Sequence, residues 1–340
     1  MLSIGNITIH YPLVLAPMSG ISDLPFRRIT RSFGCELAFT EMVSAISLVN
    51  KSKNTLRMLS TSADDRPLIV QLLGGREDII KRALDILSRY SFDIMDFNAA
   101  CPVSKVVAKG RGAGLLREPA KLERILRVIV ANACAPVTVK IRSGWDEASI
   151  NAVDLALRAE DAGVSGLFIH GRTSRQGYSG TVDYDIIRKV KESLKIPVIA
   201  SGDALTPALI KKLFDNTGCD GVAIARGALG NPWIFRGAAK HLNNETAPSG
   251  PDVHEITRIM KTHLDMNIAY HGERLGIVRF RRFFGWYTRA MPVKELKVRA
   301  FYAHTREDML RLIDEIEPLV VFIGTRLGHG GQSWTSSLPL

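Results

Sequence analysis

Residues 92–117 read FDIMDFNAACPVSKVVAKGRGAGLLR, and they hold the groups best suited to chemistry. Asn98 and Cys101 lie at the end of a short apolar run that starts at Phe92, and Pro102 halts regular structure just after them. Gly110, Gly112 and Gly114 follow among Lys105, Lys109, Arg111 and Arg117, which reads as a flexible basic loop. A thiol can donate a proton, a side-chain amide can grip a polar ring, and a cationic loop can receive an anion. A free cysteine is commonly just a small buried hydrophobe. Position argues otherwise for this one. Cys35, Cys134 and Cys219 each come just before an apolar run, whereas Cys101 comes just after one. In parallel α/β proteins the carboxyl ends of strands carry the active site.

The elements that must position these groups are legible as a repeat. Eight apolar segments recur at 13–18, 37–42, 68–73, 93–98, 137–142, 166–171, 197–202 and 221–226. Helical patterns separate them. In EDIIKRALDILSRY the residues Ile79, Ile80, Ala83, Leu84 and Leu87 form one stripe. EPAKLERILRVIVANA opens on Pro119, and INAVDLALRAEDAG closes on Gly163. Eight β–α alternations predict a (β/α)8 TIM barrel, followed by a small C-terminal helical domain. An open doubly wound sheet is the alternative, but its GxGxxG after the first strand is absent.

Strands buried on both faces should be almost wholly apolar. Several here carry a polar residue: Gln71, Asn98, Lys140 and His170. In VTVKIR the alternate residues Thr138, Lys140 and Arg142 share a face, so Lys140 should point into the barrel lumen near its top. The last two strands end in SGDA (201–204) and ARGALGNPW (225–233). Loops at those two strand ends commonly hold a phosphate on backbone N–H groups, and Gly202, Gly227, Gly230 and Arg226 suit that use.

The chain of 340 residues is 46% hydrophobic, enough for a large core and a smaller domain. The expected division is a barrel at 1–242, a linker at 243–253, a helical domain at 254–323 and a disordered tail at 324–340. Four cysteines without CxxC or CxxH spacing argue against a metal site and a disulfide framework, and suit a reduced, cytoplasmic setting. No signal peptide or membrane span is expected. The net charge of +11 points to a polyanionic partner. Much of it lies between Arg274 and Arg299, where eight Lys or Arg face the single acid Glu295. Phe280, Phe283, Phe284, Trp286 and Tyr287 are interleaved there, a composition suited to phosphate contact with base stacking.

From about residue 7 to 320 the chain resembles the tRNA-dihydrouridine synthases, with the bacterial branch closest. The likeness rests on LAPMSGISDLPFR (15–27), FTEMVSA (39–45), NAACP (98–102), HGRTSRQGYSG (170–180), IPVIASGDA (196–204) and GNPWIF (230–235). The resemblance implies an FMN-binding TIM barrel with a helical tRNA-binding domain. By motif, Ala16, Pro17 and Met18 lie along the flavin ring, and Gln71, Lys140 and His170 contact the ring or its ribityl chain. Ser201, Gly202, Asp203, Ala225 and Arg226 hold the phosphate region, Cys101 is the proton donor, and Asn98 neighbours the substrate base. The chain departs from the family pattern at Ser201, where Asn is frequent, at Ala100, where Gly is common, and at Arg282-Phe283, where a Lys-His pair is frequent.

The chemistry implied is reduction of uridine in tRNA to 5,6-dihydrouridine. Hydride from reduced FMN goes to C6 of the uracil, and Cys101 protonates C5 as a general acid. NADPH, or NADH, re-reduces the flavin, and the target base must leave its stack. Arg282 and Arg289 are the expected tRNA contacts; were their stretch one helix, they would lie two turns apart on one face. A monomer is expected. The rival reading is a dihydroorotate-dehydrogenase-like FMN oxidoreductase acting on a small pyrimidine, for which a basic aromatic domain is superfluous.

Overall fold

The computed structural model describes residues 1–245 and 250–326, so the tail from 327 and positions 246–249 of the expected linker lie outside it. The chain divides into two compact units, one of Met1–Arg27 with Gly34–Gly227, the other of Arg28–Phe33 with the segment from Ala228 onward.

The first unit is a closed barrel of eight parallel strands, as expected from the sequence. After a two-stranded hairpin, β1 (Leu2–Ile4) and β2 (Ile7–Ile9), come β3 (Leu13–Leu15), β4 (Leu37–Ser44), β5 (Leu68–Leu73), β6 (Ile94–Asn98), β7 (Val137–Arg142), β8 (Gly166–His170), β9 (Val198–Ser201) and β10 (Gly221–Ile224). Each of β3 to β10 pairs with its sequence neighbour, and β10 closes on β3. Helices fall where the sequence periodicity puts them, including Glu77–Leu87 and Pro119–Asn132, the latter with its proline in the first turn.

Side chains alternate along each strand, so the lumen is lined by every second residue. Its lower layers are apolar: Val14, Leu37, Phe39, Ile69, Ile94, Phe168, Ile199 and Ala223 pack into one cluster. The hairpin adds Leu2, Ile4 and Ile9 to that same cluster and so stops the amino-terminal mouth. Strands of three residues are too short to show alternation, so no sequence pattern marks this hairpin. Its approach to the barrel is close: a Cβ on Gly221 would lie 3.0 Å from Leu2 Cδ2. One strand-turn higher, the same inward positions become polar: Gln71, Asp96, Thr138, Lys140, His170 and Ser201. The lumen thus has a dry floor and a charged roof.

The stretch expected to be a flexible basic loop is ordered. It forms a short helix at Ser104–Val107 and a 3-10 helix at Gly112–Arg117, with Gly112 through Leu116 buried. Its glycines serve geometry. Gly112 has φ +54, and a Cβ there would lie 2.7 Å from the Cys101 carbonyl oxygen. No L-residue fits that place without strain.

The second unit is helical, with Ile234–Leu242, Val253–His271, Glu273–Tyr287, Lys294–Tyr302, Arg306–Asp314 and Ile316–Arg326. Its core takes most of the interleaved aromatics, since Phe280, Phe283, Phe284 and Tyr287 are buried. His263 Nδ1 lies 3.1 Å from the Tyr287 hydroxyl within that core. Gly230 has φ +64, and a Cβ on it would fall 2.3 Å from the Trp286 carbonyl carbon, so the GNPW turn and the Trp286 backbone meet directly.

Candidate functional site

Asp96 is fully buried at the centre of the barrel roof. Its Oδ1 accepts from Thr138 Oγ1 at 2.7 Å, and its Oδ2 accepts from Gln71 Nε2 at 2.8 Å. These contacts follow strand register, because Gln71 and Thr138 are the cross-strand partners of Asp96 on β5 and β7. With its NH₂ committed to the carboxylate, Gln71 offers only Oε1 on its other side. Asn98 Nδ2 donates to it at 2.7 Å. Asn98 Oδ1 is thereby turned to accept from the backbone N–H of Ala100 at 3.0 Å and of Cys101 at 2.9 Å. Each link fixes the orientation of the next. A carboxylate on one strand sets the turn that presents Cys101.

A register shift between Phe39 and Met42 in the β4–β5 pairing marks a bulge, and bulges re-aim side chains. Met42 Sδ lies 3.4 Å from Asn98 Nδ2 beside the amide chain. Arg142, buried at the end of β7, donates Nε to the Ala100 carbonyl at 2.8 Å. It also donates Nη1 to the carbonyls of Thr173 and Gly177, at 3.0 and 2.8 Å. The Cys101 turn and the loop after β8 thus share one guanidinium. Arg142 shares the lumen face of β7 with Thr138 and Lys140, as the strand alternation predicts.

Lys140 is half-buried and donates Nζ to Ser201 Oγ at 3.0 Å, across the lumen roof. Ser201 in turn donates to the Ile169 carbonyl. Serine at this place therefore holds the lysine. Burial pushes the Lys140 ammonium down to about 8 despite nearby Asp96, with Arg142 adding to the fall. Burial pushes Asp96 up to about 7, against the opposing pull of Gln71, Thr138 and Lys140. His170 is driven far down, first by burial and then by Arg142, Lys140, Arg172 and Arg226, so it is neutral at physiological pH.

Four cations thus act on one imidazole through their charge, with Arg172 Nη1 3.5 Å from its Nε2. Asp203 accepts from Arg172 Nη2 at 2.6 Å and from Arg226 Nη2 at 2.8 Å, tying two of them together. The chain turns there through positive φ at Gly202 (+115) and Asp203 (+49). A Cβ on Gly202 would sit 2.8 Å from the His170 ring. Ala16, buried at the end of β3, donates its N–H to the Ile224 carbonyl, and Met18 N–H bonds Ser22 Oγ. Pro17 lies between them, and Ala225 follows β10. So the barrel residues singled out from the sequence share one end of one barrel. Asp96 and Arg172 were missed, since their bonds to Thr138 and Asp203 are long-range ones that no local spacing announces.

Arg282 and Arg289 belong to the helical unit, where the helix ends at Tyr287. Arg289 lies beyond it, so the two do not lie two turns apart on one helical face. Arg282 lies over the half-buried Trp286 ring at 5.8 Å, and Arg289 Nε donates to the Trp286 carbonyl. Arg281 is engaged inside the unit, donating to the Ala303 carbonyl at 2.8 Å. Among the described residues no cluster could hold a metal ion, and no helix is long and apolar enough to cross a membrane.

The close packing of Gly112 against Cys101 gives a direct test. Gly112→Ala should cost about 1–3 kcal/mol in urea unfolding, from a strained φ alone. It should also change the rate at which iodoacetamide labels Cys101. Unchanged stability together with unchanged labelling would mean that the 3-10 helix does not set the thiol.

Residues 14–318 match the family model described as dihydrouridine synthase. A probable tRNA-dihydrouridine synthase of Rickettsia conorii is 38% identical over 293 residues, covering 86% of this chain and 88% of that protein. The tRNA-dihydrouridine synthase B of Pseudomonas putida is 38% identical over 298 residues, covering 87% and 88%. Among solved structures, histamine dehydrogenase from a Rhizobium species superposes with TM-score 0.54 at 12% identity, over 78% of this chain and 50% of that one. A 2-naphthoyl-CoA reductase gives TM-score 0.55 at 10% identity, over 72% and 52%. These two likenesses speak to the fold alone. Sequence and barrel together place the chain in the dihydrouridine synthase family.

Proposed function

We propose that this protein reduces the C5–C6 double bond of uridines in tRNA to dihydrouridine, with FMN held at the barrel roof and NADPH or NADH as reductant. The observation that carries the reading is the juxtaposition of an oriented thiol with an excess of cations. Lys140, Arg142, Arg172 and Arg226 all bear on His170, against Asp96 and Asp203. That surplus suits a group with a phosphate at one end and a ring that gains negative charge at the other. A bound flavin supplies the hydride.

The remaining chemistry belongs to the chain. The C4 carbonyl of uracil polarises the double bond, so hydride at C6 leaves C5 in need of a proton. A thiol is mostly protonated at neutral pH, so Cys101 Sγ can deliver that proton. Asn98, whose amide the chain from Asp96 orients, holds the Cys101 turn beside the base. Lys140, steadied by Ser201, offers its ammonium to the ring edge that gains charge. Neutral His170 presents a hydrogen-bonding ring without adding charge. Ala16, Pro17 and Met18 form a wall for the flavin face, and Gln71 neighbours it. Gly202, Asp203, Ala225 and Arg226 cradle the phosphate. In this reading the barrel unit is catalytic and the helical unit binds tRNA, with Arg282 and Arg289 as its contacts. The protein acts as a cytoplasmic monomer.

The experiment combines flavin release with modification of tRNA that lacks dihydrouridine. The purified protein should release FMN on denaturation, and NADPH with such tRNA should yield dihydrouridine on nucleoside analysis. Cys101→Ala should keep the flavin and lose about 10²–10⁴-fold of uridine reduction. A protein without flavin, or a Cys101→Ala variant of undiminished rate, would overturn the reading.

The pH profile gives a second expectation. Lys140 is charged below its value of about 8 and loses its proton as pH rises through it, so affinity for FMN should fall along that limb. In Lys140→Arg the limb should leave the range between pH 7 and 10, because guanidinium does not titrate there. A limb that persists unchanged in that variant would assign it to another group.

A further inference from the structure

The barrel carries a second basic feature that the reaction does not use. Trp145, in the loop after β7, lies between two guanidinium groups: Arg117 at 4.3 Å from its ring centroid and Arg175 at 6.0 Å. Arg117 ends the 3-10 helix whose start packs on Cys101, and Arg175 lies in the loop after β8. Three separate loops thus meet at one indole, on the rim that also bears Cys101. Their meeting is built into the backbone. Asn151 Nδ2 donates to the Leu116 carbonyl at 2.8 Å, next to Arg117. Ser174 and Arg175 donate their N–H groups to the Gly144 and Trp145 carbonyls, at 2.9 and 3.0 Å. A Cβ on Gly144 would strike the Ser149 carbonyl oxygen at 2.4 Å, so glycine is needed for this arrangement.

Such construction is more than two mobile surface arginines require. Arg117 is exposed, and its side chain makes no hydrogen bond or ion pair among the described residues. Its guanidinium carbon sits 4.3 Å over the indole while its N–H groups stay open among the described residues. Arg175 is 70% exposed, with the Asp146 carboxylate at 3.9 Å. A stacked guanidinium has already given up much of its rotamer freedom, so less is lost when its donors meet a bidentate acceptor. The acceptor must be anionic, planar-edged and brought to this rim. The 3-10 helix rises about 2 Å per residue, so Arg117 stands within roughly 10 Å of the Gly112 start that packs on Cys101. A nucleotide delivered to Cys101 brings its flanking phosphates there.

We propose that Arg117, Trp145 and Arg175 form an RNA-backbone site on the barrel itself, in which Arg117 and Arg175 each grip a phosphate of the substrate strand and Trp145 holds both arginines in place. The inference rests on the tRNA reading above. It adds a contact surface outside the helical unit.

The test is tRNA affinity against salt concentration for the full-length holoprotein. Each phosphate contact contributes about 0.7–0.9 to the log–log slope. Arg117→Ala should lower the slope by that amount and Arg117→Ala with Arg175→Ala by about twice it, while bound flavin per chain reports that the barrel is intact. Trp145→Leu should weaken binding with both arginines present, because their orientation is lost. Arg117→Glu should weaken it further than Arg117→Ala. If wild type binds and reduces tRNA but the variants give parallel salt curves, the rim stack only ties loops together and this proposal is wrong. If wild type neither binds nor reduces tRNA, the functional reading fails, and the rim site with it.

Discussion

A carboxylate buried at the centre of the barrel roof is the constraint on which the site depends. Removing a charge from water costs several kcal/mol unless partners replace the lost hydration. Asp96 meets that demand with Thr138, Gln71 and the nearby Lys140 ammonium. The consequence is directional. An amide has one donor end and one acceptor end, so satisfying Asp96 decides which way Gln71 faces, and Gln71 decides Asn98. Asn98 then has only its oxygen left for the backbone N–H groups of Ala100 and Cys101. Replacing any member by a group that both donates and accepts on the same side would leave a buried polar atom unmatched.

The rest of the barrel makes this arrangement rigid. The apolar floor, completed by Leu2, Ile4 and Ile9 from the hairpin, leaves no room for the strands to slide against one another. Above it, Arg142 joins the Cys101 turn to the loop after β8, and Asp203 joins Arg172 to Arg226. Low dielectric strengthens every one of these contacts and also sets their protonation. It keeps His170 neutral, weakens the hold of Lys140 on its proton, and leaves Asp96 ionised only near neutrality and above. The Cys101 turn is thus supported by groups whose charge states are narrowly set.

How much of this could be read from residues alone varies with the physics. The eight strands were legible because parallel strands covered on both faces must be apolar runs, and their interruptions marked the lumen. Gln71, Asn98, Lys140 and His170 stand out for that reason. The hairpin was not legible, since strands of three residues are too short to show alternation. The glycines at 110 to 114 suggested looseness, yet Gly112 is there because a side chain would strike Cys101. Arg142 acts through backbone carbonyls far off in sequence and Arg172 through the distant Asp203 carboxylate, and only folding brings those together. In the helical unit most of the aromatics mixed with arginine fill the core, and the helix stops short of Arg289.

The central claim is that Asp96 acts on the reaction through the orientation of Cys101. Single-turnover uridine reduction by pre-reduced protein tests it in a double-mutant cycle of Asp96→Leu and Cys101→Ala, with bound flavin monitored throughout. Each single change should slow proton-coupled reduction of the uracil, and the double variant should be no slower than Cys101→Ala alone. Rate losses that simply multiply would mean that Asp96 supports the barrel or the flavin independently of the thiol, and the account given for the amide chain would be wrong.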